Sequence, residues 1–214
     1  MANHLVIAGP GRAGTTLLVR LLDALGFETG IERLPFDDDA NAGFEANLTS
    51  PLAPYVVKSP ALTWTLPGLL ADGSVDPATI DWLVVPLREL DQAAASRLAV
   101  TAGARDAFVP GGLYGTRRPG RQRASIAEAT YRLLLAAAEY ELPLIVLEYP
   151  RFARDAAYAF RRLRPALGDR SEAAVAAALR DVVDDRLLRG EPIAPPPALA
   201  LRVLARRLRR RLRG

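Results

Sequence analysis

The hydrophobic positions of the chain fall into four short runs that are separated by longer segments of mixed character. Each run is apolar almost throughout rather than alternating, and most of its residues are aliphatic or β-branched. Strands that are buried on both faces of a parallel sheet show this pattern. The sequence therefore predicts four buried strands, at Leu5–Ala8, Tyr55–Lys58, Trp82–Leu87 and Leu144–Glu148.

Segments with helical periodicity lie between and after these runs. Their apolar residues recur at spacings of three and four, which predicts helices at Thr15–Leu25, Leu90–Val100, Ile126–Tyr140, Phe152–Leu167, Ser171–Leu188 and Ala198–Leu212. The alternation of strands and helices favours an α/β fold with three layers, α/β/α, around a central, mostly parallel sheet. Ligands of such folds bind at the carboxyl ends of the strands.

Composition predicts one domain with a basic tail. The chain has 214 residues, half of them apolar, which suffices for one core. Prolines crowd the segment before the tail and indicate a stiff linker. We therefore divide the chain into an α/β domain (1–190), a Pro-rich linker (191–197) and a C-terminal helix (198–214). In that helix the leucines repeat at helical spacing and arginines occupy the other faces, as in helices that lie on anionic membranes. The alternative is a helix that packs on the domain or on a partner.

The charge distribution narrows the function classes. The net charge is +4, but residues 198–214 carry seven arginines and no acid, so the remainder of the chain is mildly acidic. This argues against a nucleic-acid-binding domain. The chain has no cysteine, which excludes a disulfide framework and a thiol nucleophile. No apolar run is long enough to span a bilayer and no secretion signal is evident, so we expect a cytoplasmic protein whose tail contacts the inner face of the plasma membrane.

The segment after the first predicted strand, Gly9–Thr16, combines a glycine-rich turn with a helix start. Glycines allow the backbone to approach a phosphate, and the first N–H groups of a helix point at it. The turn has the spacing of a Walker A loop, but Thr15 stands where that motif has Lys. A Walker B strand would end in Asp to hold Mg²⁺, whereas here Arg88 follows the strand. A nucleoside or small-molecule kinase remains an alternative, although the chain lacks the Walker A lysine and the Walker B aspartate of such enzymes.

Two further patterns lie at strand ends. Lys58-Ser59-Pro60 ends the second predicted strand, and Lys58 is the only lysine among 28 basic residues. A compact ammonium and a guanidinium are not equivalent at a reacting anion. The presence of one lysine in a chain otherwise rich in arginine therefore makes Lys58 a candidate site residue. Arg88 ends the third strand and Ser96 follows on the next predicted helix. A guanidinium and a hydroxyl so placed reach a common phosphate.

These three elements together resemble the sulfotransferases that use 3′-phosphoadenosine-5′-phosphosulfate (PAPS). Residues 11–18 resemble their 5′-phosphosulfate loop, although Ala13 replaces the usual Ser. Arg88 and Ser96 match the family's 3′-phosphate pair, and Lys58-Ser59-Pro60 is similar to a Lys-Ser-Pro found in bacterial members. The segment 144–168 is similar to the family's late strand and helix, so the resemblance covers about residues 4–168. It implies the P-loop NTPase-like sulfotransferase fold.

The resemblance also implies site residues. The 5′-phosphosulfate would lie on Gly11, Arg12, Ala13, Gly14, Thr15 and Thr16, and the 3′-phosphate on Arg88 and Ser96. Arg12 and Lys58 would stabilise the charge that develops during transfer, without a metal. Glu32 is the first candidate for the general base and Glu45 the second. Apart from the resemblance, Arg117 and Arg118 lie in a Gly-rich segment, which predicts either a lid that closes over an anionic cofactor or acceptor, or a disordered basic loop.

The expected activity is the transfer of a sulfuryl group from PAPS to a hydroxyl. The acceptor would be a small molecule, a saccharide or a glycan precursor, an expectation that comes from the family. Trp64 and Tyr114 would stack on adenine or sugar, or else pack in the core. His4 precedes the first strand, at the edge away from the loop, and is expected to be structural or solvated. A non-catalytic nucleotide-binding protein of the same fold stays open, because Ala13 removes a hydroxyl.

Overall fold

The fold is built on a parallel sheet of four strands. In the computed structural model, which describes residues 2–37, 42–103, 112–116 and 118–183, the strands of this sheet are β1 (His4–Ile7), β4 (Val56–Lys58), β5 (Ile80–Leu87) and β6 (Leu144–Glu148). Their order is β4-β1-β5-β6 and every neighbouring pair is parallel. Two short strands, β2 (Phe36–Asp37) and β3 (Ala42–Gly43), form a separate antiparallel pair.

Seven α-helices are present in the described residues. They are α1 (Thr15–Ala24), α2 (Leu62–Ala71), α3 (Leu90–Gly103), α4 (Gln122–Glu139), α5 (Arg151–Arg154), α6 (Ala156–Leu167) and α7 (Glu172–Val182). Short 3-10 helices lie at Ile31–Arg33, Pro77–Thr79 and Pro119–Arg121. None of the helices in this part of the chain combines the length and the hydrophobicity needed to cross a bilayer.

Successive residues of the strands supply two separate cores. Leu5 and Ile7 pack with α1, α6 and α7 on one face of the sheet, whereas Val6 and Ala8 pack with α2 and α4 on the other. The side chains of a strand alternate between the faces, so a run that is apolar throughout buries both. α3 joins the second side through its contact with α4 at Ala93, Ala94 and Ile126. Helices on both faces of a parallel sheet are compatible with the expected three-layer order.

The predicted strands and the α/β class are confirmed, but several boundaries differ. α2 was not predicted, because its sequence contains Pro67 and Gly68 and is apolar on nearly every side. The helix predicted at Phe152–Leu167 is broken at Asp155, whose extended backbone and carboxylate cap α6. The helix predicted at Ser171–Leu188 ends at Val182, since Val183 is extended. The Pro-rich linker (191–197) and the basic tail (198–214) lie outside the described residues.

The topology identifies the edge of the sheet where a ligand is expected. β1 lies between β4 and β5, and the chain leaves β1 through α1 on one face but leaves β5 toward α3 and α4 on the other. Connections that diverge in this way leave a crevice at the carboxyl ends of the two strands. The turn after β1 and the residues after β5 border this crevice.

Candidate anion site at the carboxyl edge of the sheet

The turn between β1 and α1 has two left-handed residues that fold it back over the helix start. Arg12 has φ +74° and Gly14, the N-cap of α1, has φ +84°. Gly11, which precedes Arg12, and Ala13, which lies between Arg12 and Gly14, are both buried. Thr15 is buried at the first position of the helix. The first N–H groups of an α-helix have no partner within it, so the turn presents donors at the positive end of α1. We call residues Gly11–Thr16 the anion loop.

Arg88 and Ser96 meet the anion loop at Arg12. The Arg88 guanidinium donates to the carbonyl of Arg12 at 3.2 Å, across 76 positions of sequence. The Arg12 guanidinium donates through Nε to the Ser96 hydroxyl at 3.1 Å. Three residue positions that the sequence associated with two phosphates thus form one continuous polar cluster. The order of the strands causes this, because β1 and β5 are neighbours and end at the same edge.

Lys58 approaches the same cluster from β4. Its side chain is 1% exposed, and its ammonium donates to the carbonyl of Gly43 at 2.7 Å. A carboxylate oxygen of Glu45, a residue that is 39% exposed, lies 3.8 Å from the Lys58 nitrogen. The backbone N–H of Ala46 donates to the Lys58 carbonyl at 3.0 Å, so the segment after β3 runs alongside the end of β4. The partly exposed Glu45 carboxylate therefore lies beside the buried ammonium.

Arg97, on α3, is a further cation of this site that the sequence patterns do not predict. It is 1% exposed and donates through Nε toward the carbonyl of Gly11 at 3.4 Å. Its guanidinium carbon lies 5.0 Å from the centre of the Trp64 ring. The sequence contained a clue, because Arg97 follows Leu90, Ala93 and Ala94 at helical spacing and so falls on the buried face of α3.

The electrostatics of the site are those of crowded cations. Burial lowers the pKa of Arg12, and the charge of Arg88 lowers it further, against an opposing effect of Tyr149. Burial also lowers the pKa of Arg97 to about 10, and the charge of Arg12 adds to this. Burial lowers the pKa of Lys58 to about 8, with Glu45 opposing and Arg12 assisting. Burial and neighbouring cations thus make the charged form of each group less favourable than in water, and a bound anion would offset that cost.

Aromatic rings form the walls of the site. Tyr149, which follows β6, lies with its ring 5.4 Å from the Arg88 guanidinium carbon. The same ring touches Gly14 so closely that a Cβ there would lie 2.5 Å from it. Trp64 packs edge-to-face against Tyr114, with ring centres 4.8 Å apart. Both rings that were considered for stacking on a ligand therefore already have contacts within the protein.

Other expected site residues lie elsewhere. Glu32 is 66% exposed in the side chain and pairs with Arg33 at 2.9 Å. Arg33 also reaches Glu28, whose carbonyl accepts from the N–H of Val56 at the start of β4. Glu32 is therefore near the amino edge of the sheet, whereas Lys58 is at the carboxyl edge. The reason is that the chain returns to the beginning of β4 directly after α1.

The amino edge also holds the only histidine. His4 is buried, and its Nδ1 is 2.9 Å from the carbonyl of Pro54, which fits a structural role. Arg118 is exposed and precedes the 3-10 helix that leads into α4. Arg117, the other arginine of the expected lid, lies outside the described residues. The structure therefore brings the loop, Arg88, Ser96, Lys58 and Glu45 together, and does not bring Glu32 to them.

Comparisons with known proteins do not assign the chain to a family. No protein-family model, no curated protein and no solved structure matches the chain. The function has to be argued from the site.

Proposed function

We propose that the protein is a sulfotransferase that moves the sulfuryl group of PAPS to an acceptor hydroxyl. The observation that carries the proposal is the convergence of Arg12, Arg88, Ser96 and Lys58 on one helix start. Guanidinium groups bind phosphate and sulfate through paired hydrogen bonds, and a helix start adds backbone donors. Together they suit an anion that carries several charges, as PAPS does.

The residues also disfavour a Mg²⁺-nucleotide enzyme. Arg88 occupies the strand end where such an enzyme places its metal-holding acid, and it donates to the anion loop itself. Thr15, in the position of the P-loop Lys, is buried at the first turn of α1. The positive charge of this site comes from Arg12, Arg88, Arg97 and Lys58. This is the pattern expected where the leaving group is neutralised by side chains.

The proposed site residues divide into binding and chemical roles. The anion loop would hold the 5′-phosphosulfate, and Arg88 with Ser96 would hold the 3′-phosphate. PAPS, when bound, would supply an activated sulfuryl group. Arg12 and Lys58 would neutralise the charge that builds on the bridging and sulfuryl oxygens, and charge placed where it develops is a main source of catalysis.

Glu45 is the better placed of the two candidate bases. The acceptor oxygen would form a bond to sulfur while the bond from sulfur to the bridging oxygen breaks and 3′,5′-ADP leaves with the electron pair. The acceptor's proton would pass to the Glu45 carboxylate, which is 3.8 Å from Lys58 and partly open to solvent. A base must lie within reach of the proton that it removes, and the position of Glu32 does not meet that condition.

The first test is calorimetric binding of 3′,5′-ADP in EDTA, with ATP and Mg²⁺ measured in parallel. We expect metal-independent binding of 3′,5′-ADP that is lost in Arg88→Ala. Arg162→Ala is the matched control, because Arg162 also donates to a backbone carbonyl, that of Val146, but from the exposed side of α6. Binding of Mg-ATP alone would overturn the proposal in favour of a kinase.

Turnover is tested with labelled PAPS against a panel of acceptors. A saccharide or glycan-precursor hydroxyl is the proposed acceptor class. Intact binding of 3′,5′-ADP with no transfer to any acceptor would instead indicate a non-catalytic nucleotide-binding protein.

We also propose that the protein works at the inner face of the plasma membrane. The support is the basic sequence 198–214, which lies outside the described residues. The wild type should bind vesicles that contain anionic lipid, and replacing Leu204 and Leu208 with Ser should abolish that binding. Equal binding by both proteins would contradict this part of the proposal.

A further inference from the structure

Arg97 is a buried cation whose strongest charged neighbour is another cation. Its side chain is 1% exposed, and the charge of Arg12 opposes its own. Among the described residues, none of the ion pairs within 4.0 Å includes Arg97. Arginines are almost never fully buried unless they are paired. A function other than packing is therefore needed to account for this side chain.

The contacts of Arg97 aim it at the anion loop. Nε donates toward the Gly11 carbonyl at 3.4 Å, and Nη2 would lie only 3.1 Å from a Cβ at position 11. Trp64 supports the guanidinium from the side, at 5.0 Å from its ring centre. Glycine at position 11 therefore allows the guanidinium to lie directly against the backbone of the loop.

One end of this guanidinium has no hydrogen-bond partner in the described part of the protein. Nη1 of Arg97 is buried and unpaired. A buried donor without an acceptor destabilises the fold, and a buried charge without a counter-charge does so more strongly. An anion on the adjacent loop would supply both the acceptor and the opposite charge.

We propose that Arg97 binds the anion held by the Gly11–Thr16 loop, as a ligand-binding residue beside Arg12 and Arg88. The inference rests on the proposed function in that both use the same loop. It goes further by assigning a third guanidinium to the site, so that the preferred ligand is a polyanion such as a bisphosphate.

This role predicts opposite effects on stability and on binding. A buried charge that lacks a counter-charge destabilises the folded protein, so an apolar side chain of similar length in its place should not lower stability in the absence of ligand. The same replacement removes donors to a charged ligand, and such hydrogen bonds are strong. Arg97→Met should therefore keep or raise the Tm of the free protein and weaken anion binding.

Arg170 provides a matched control at the other end of α1. It too combines a hydrogen bond to a backbone carbonyl, from Nε to Leu25 at 2.6 Å, with an aromatic face, Phe27 at 3.7 Å. Arg170→Met should lower the Tm and leave anion binding unchanged. The two variants remove the same chemical group, so they separate a ligand-binding role from a structural one.

The experiment measures Tm and the binding of two probes, inorganic pyrophosphate and 3′,5′-ADP, to the full chain. In Arg97→Met we expect a Tm at or above that of the wild type and a 10- to 100-fold weaker Kd for pyrophosphate. If this variant does not fold, Arg97→Lys serves instead, because it keeps the charge and loses the planar donor set. Wild-type affinity for pyrophosphate in either variant would overturn the inference.

The two probes also separate this inference from the proposed function. Pyrophosphate binding that depends on Arg97, without any binding of 3′,5′-ADP, would support the inference and contradict the PAPS site. Binding of 3′,5′-ADP that is the same in the wild type and in Arg97→Met would leave the PAPS site standing and overturn the inference. If the wild type binds neither probe, both proposals are wrong.

Discussion

The two ends of α1 are built in opposite ways. At the C-terminal end, Arg170 donates to the carbonyl of Leu25 and covers the ring of Phe27. The helix closes there with a turn in which Gly26 has φ +77° and donates to Asp23. A cation at this end opposes the negative pole of the helix dipole and satisfies a carbonyl that the helix leaves open. Every feature of this end stabilises the folded chain.

At the N-terminal end, in contrast, the cations lie next to the positive pole of the helix dipole, which repels them. Arg12, Arg88 and Arg97 meet at the anion loop, and the pKa of Arg12 and of Arg97 is lowered by burial and by a neighbouring arginine. Lys58 approaches from β4 with a pKa lowered to about 8. A like charge at a helix pole is unfavourable by a few tenths of a kcal/mol to about 1 kcal/mol.

The difference between the two ends of α1 indicates which of them has a function beyond stability. An arrangement that stabilises the protein by itself needs no ligand to explain it, as at Arg170. An arrangement that accumulates unfavourable terms is explained when a ligand of opposite charge removes them, as at the anion loop. The following predictions test whether the two ends really differ in this way.

The largest expected difference concerns the two candidate bases. Glu45→Gln should lower the rate of sulfuryl transfer by about 10² to 10⁴-fold, the usual contribution of general base catalysis. Glu32→Gln should leave the rate unchanged, because Glu32 is on the surface beside Arg33 near the other edge of the sheet. Turnover with labelled PAPS at saturating acceptor measures both.

Binding of 3′,5′-ADP is the control for that pair, since neither change should alter it by more than a small factor. If Glu32→Gln were the inactive variant, the chemistry would have to lie away from Lys58. The N-terminal end of α1, where Lys58 and Glu45 lie, would then not be the site of catalysis.

Glycine at each end of α1 gives the next comparison. Gly14 and Gly26 both have φ near +80°, but a Cβ at Gly14 would meet the Tyr149 ring at 2.5 Å whereas nothing lies within 4 Å of one at Gly26. Gly26→Ala should cost about 1 kcal/mol from backbone strain. Gly14→Ala should cost about 3 kcal/mol, because overpacking adds to the strain.

Urea denaturation measures both free energies of unfolding. Equal costs would show that Tyr149 moves freely and does not fix the turn. A combined Gly14→Ala, Tyr149→Leu variant should recover part of the loss, since the smaller side chain removes the clash.

The sequence predicted the strands well because each one is buried on both faces. A run such as Leu5–Ala8 is apolar at every position, and this arises where helices cover both sides of a sheet. The same reasoning missed α2, since its residues are apolar on nearly all sides and its sequence contains Pro67. It also missed the pairing of β2 with β3. Each of these strands has only two residues, which is too short for an alternation of apolar and polar positions to be recognised.

The candidate site could be predicted where a residue stands at a strand end. Lys58 and Arg88 were placed correctly at the carboxyl edge because a parallel sheet aligns its strand ends. Arg97 was overlooked because its position depends on which face of α3 is buried, and that face shows only Ala93 and Ala94 as small apolar residues. The choice between Glu32 and Glu45 depended on the path of the loop after α1, for which the sequence has no periodic pattern.

The pH dependence of the site follows from Lys58. Its pKa is lowered to about 8 by burial, so its charge is lost as the pH rises through this value. If the ammonium assists transfer, kcat/KM should fall above pH 8, by up to tenfold per pH unit. Lys58→Arg should abolish this limb, because a guanidinium stays charged. An unchanged limb in that variant would assign it to another group.

The stability of the free protein should change in the opposite direction. The ordinary pKa of a lysine, 10.5, applies to the unfolded chain, so between about pH 8 and 10.5 the unfolded state binds more protons than the folded state. The free energy of unfolding therefore rises with pH in this window. In Lys58→Met the rise should be missing, which denaturation at pH 7.5 and pH 10 would show.

The smallest expected effect compares two serines. The Ser96 hydroxyl accepts from Arg12 at 3.1 Å, whereas the Ser171 hydroxyl accepts from the N–H of Ala174 and caps α7. Ser96→Ala should weaken the binding of 3′,5′-ADP by about 3- to 10-fold, the value of one hydrogen bond, and leave the binding of 5′-AMP unchanged. Ser171→Ala should cost about 1 kcal/mol of stability and leave both affinities unchanged.

The nucleotide pair makes this small effect informative. A loss confined to 3′,5′-ADP would place the 3′-phosphate at Ser96, because 5′-AMP lacks only that group. An equal loss for both nucleotides would mean that Ser96 acts through Arg12 on the 5′ side of the ligand. The two phosphates would then not be divided between the anion loop and α3, and the cations at this end of α1 would form a single undivided anion site.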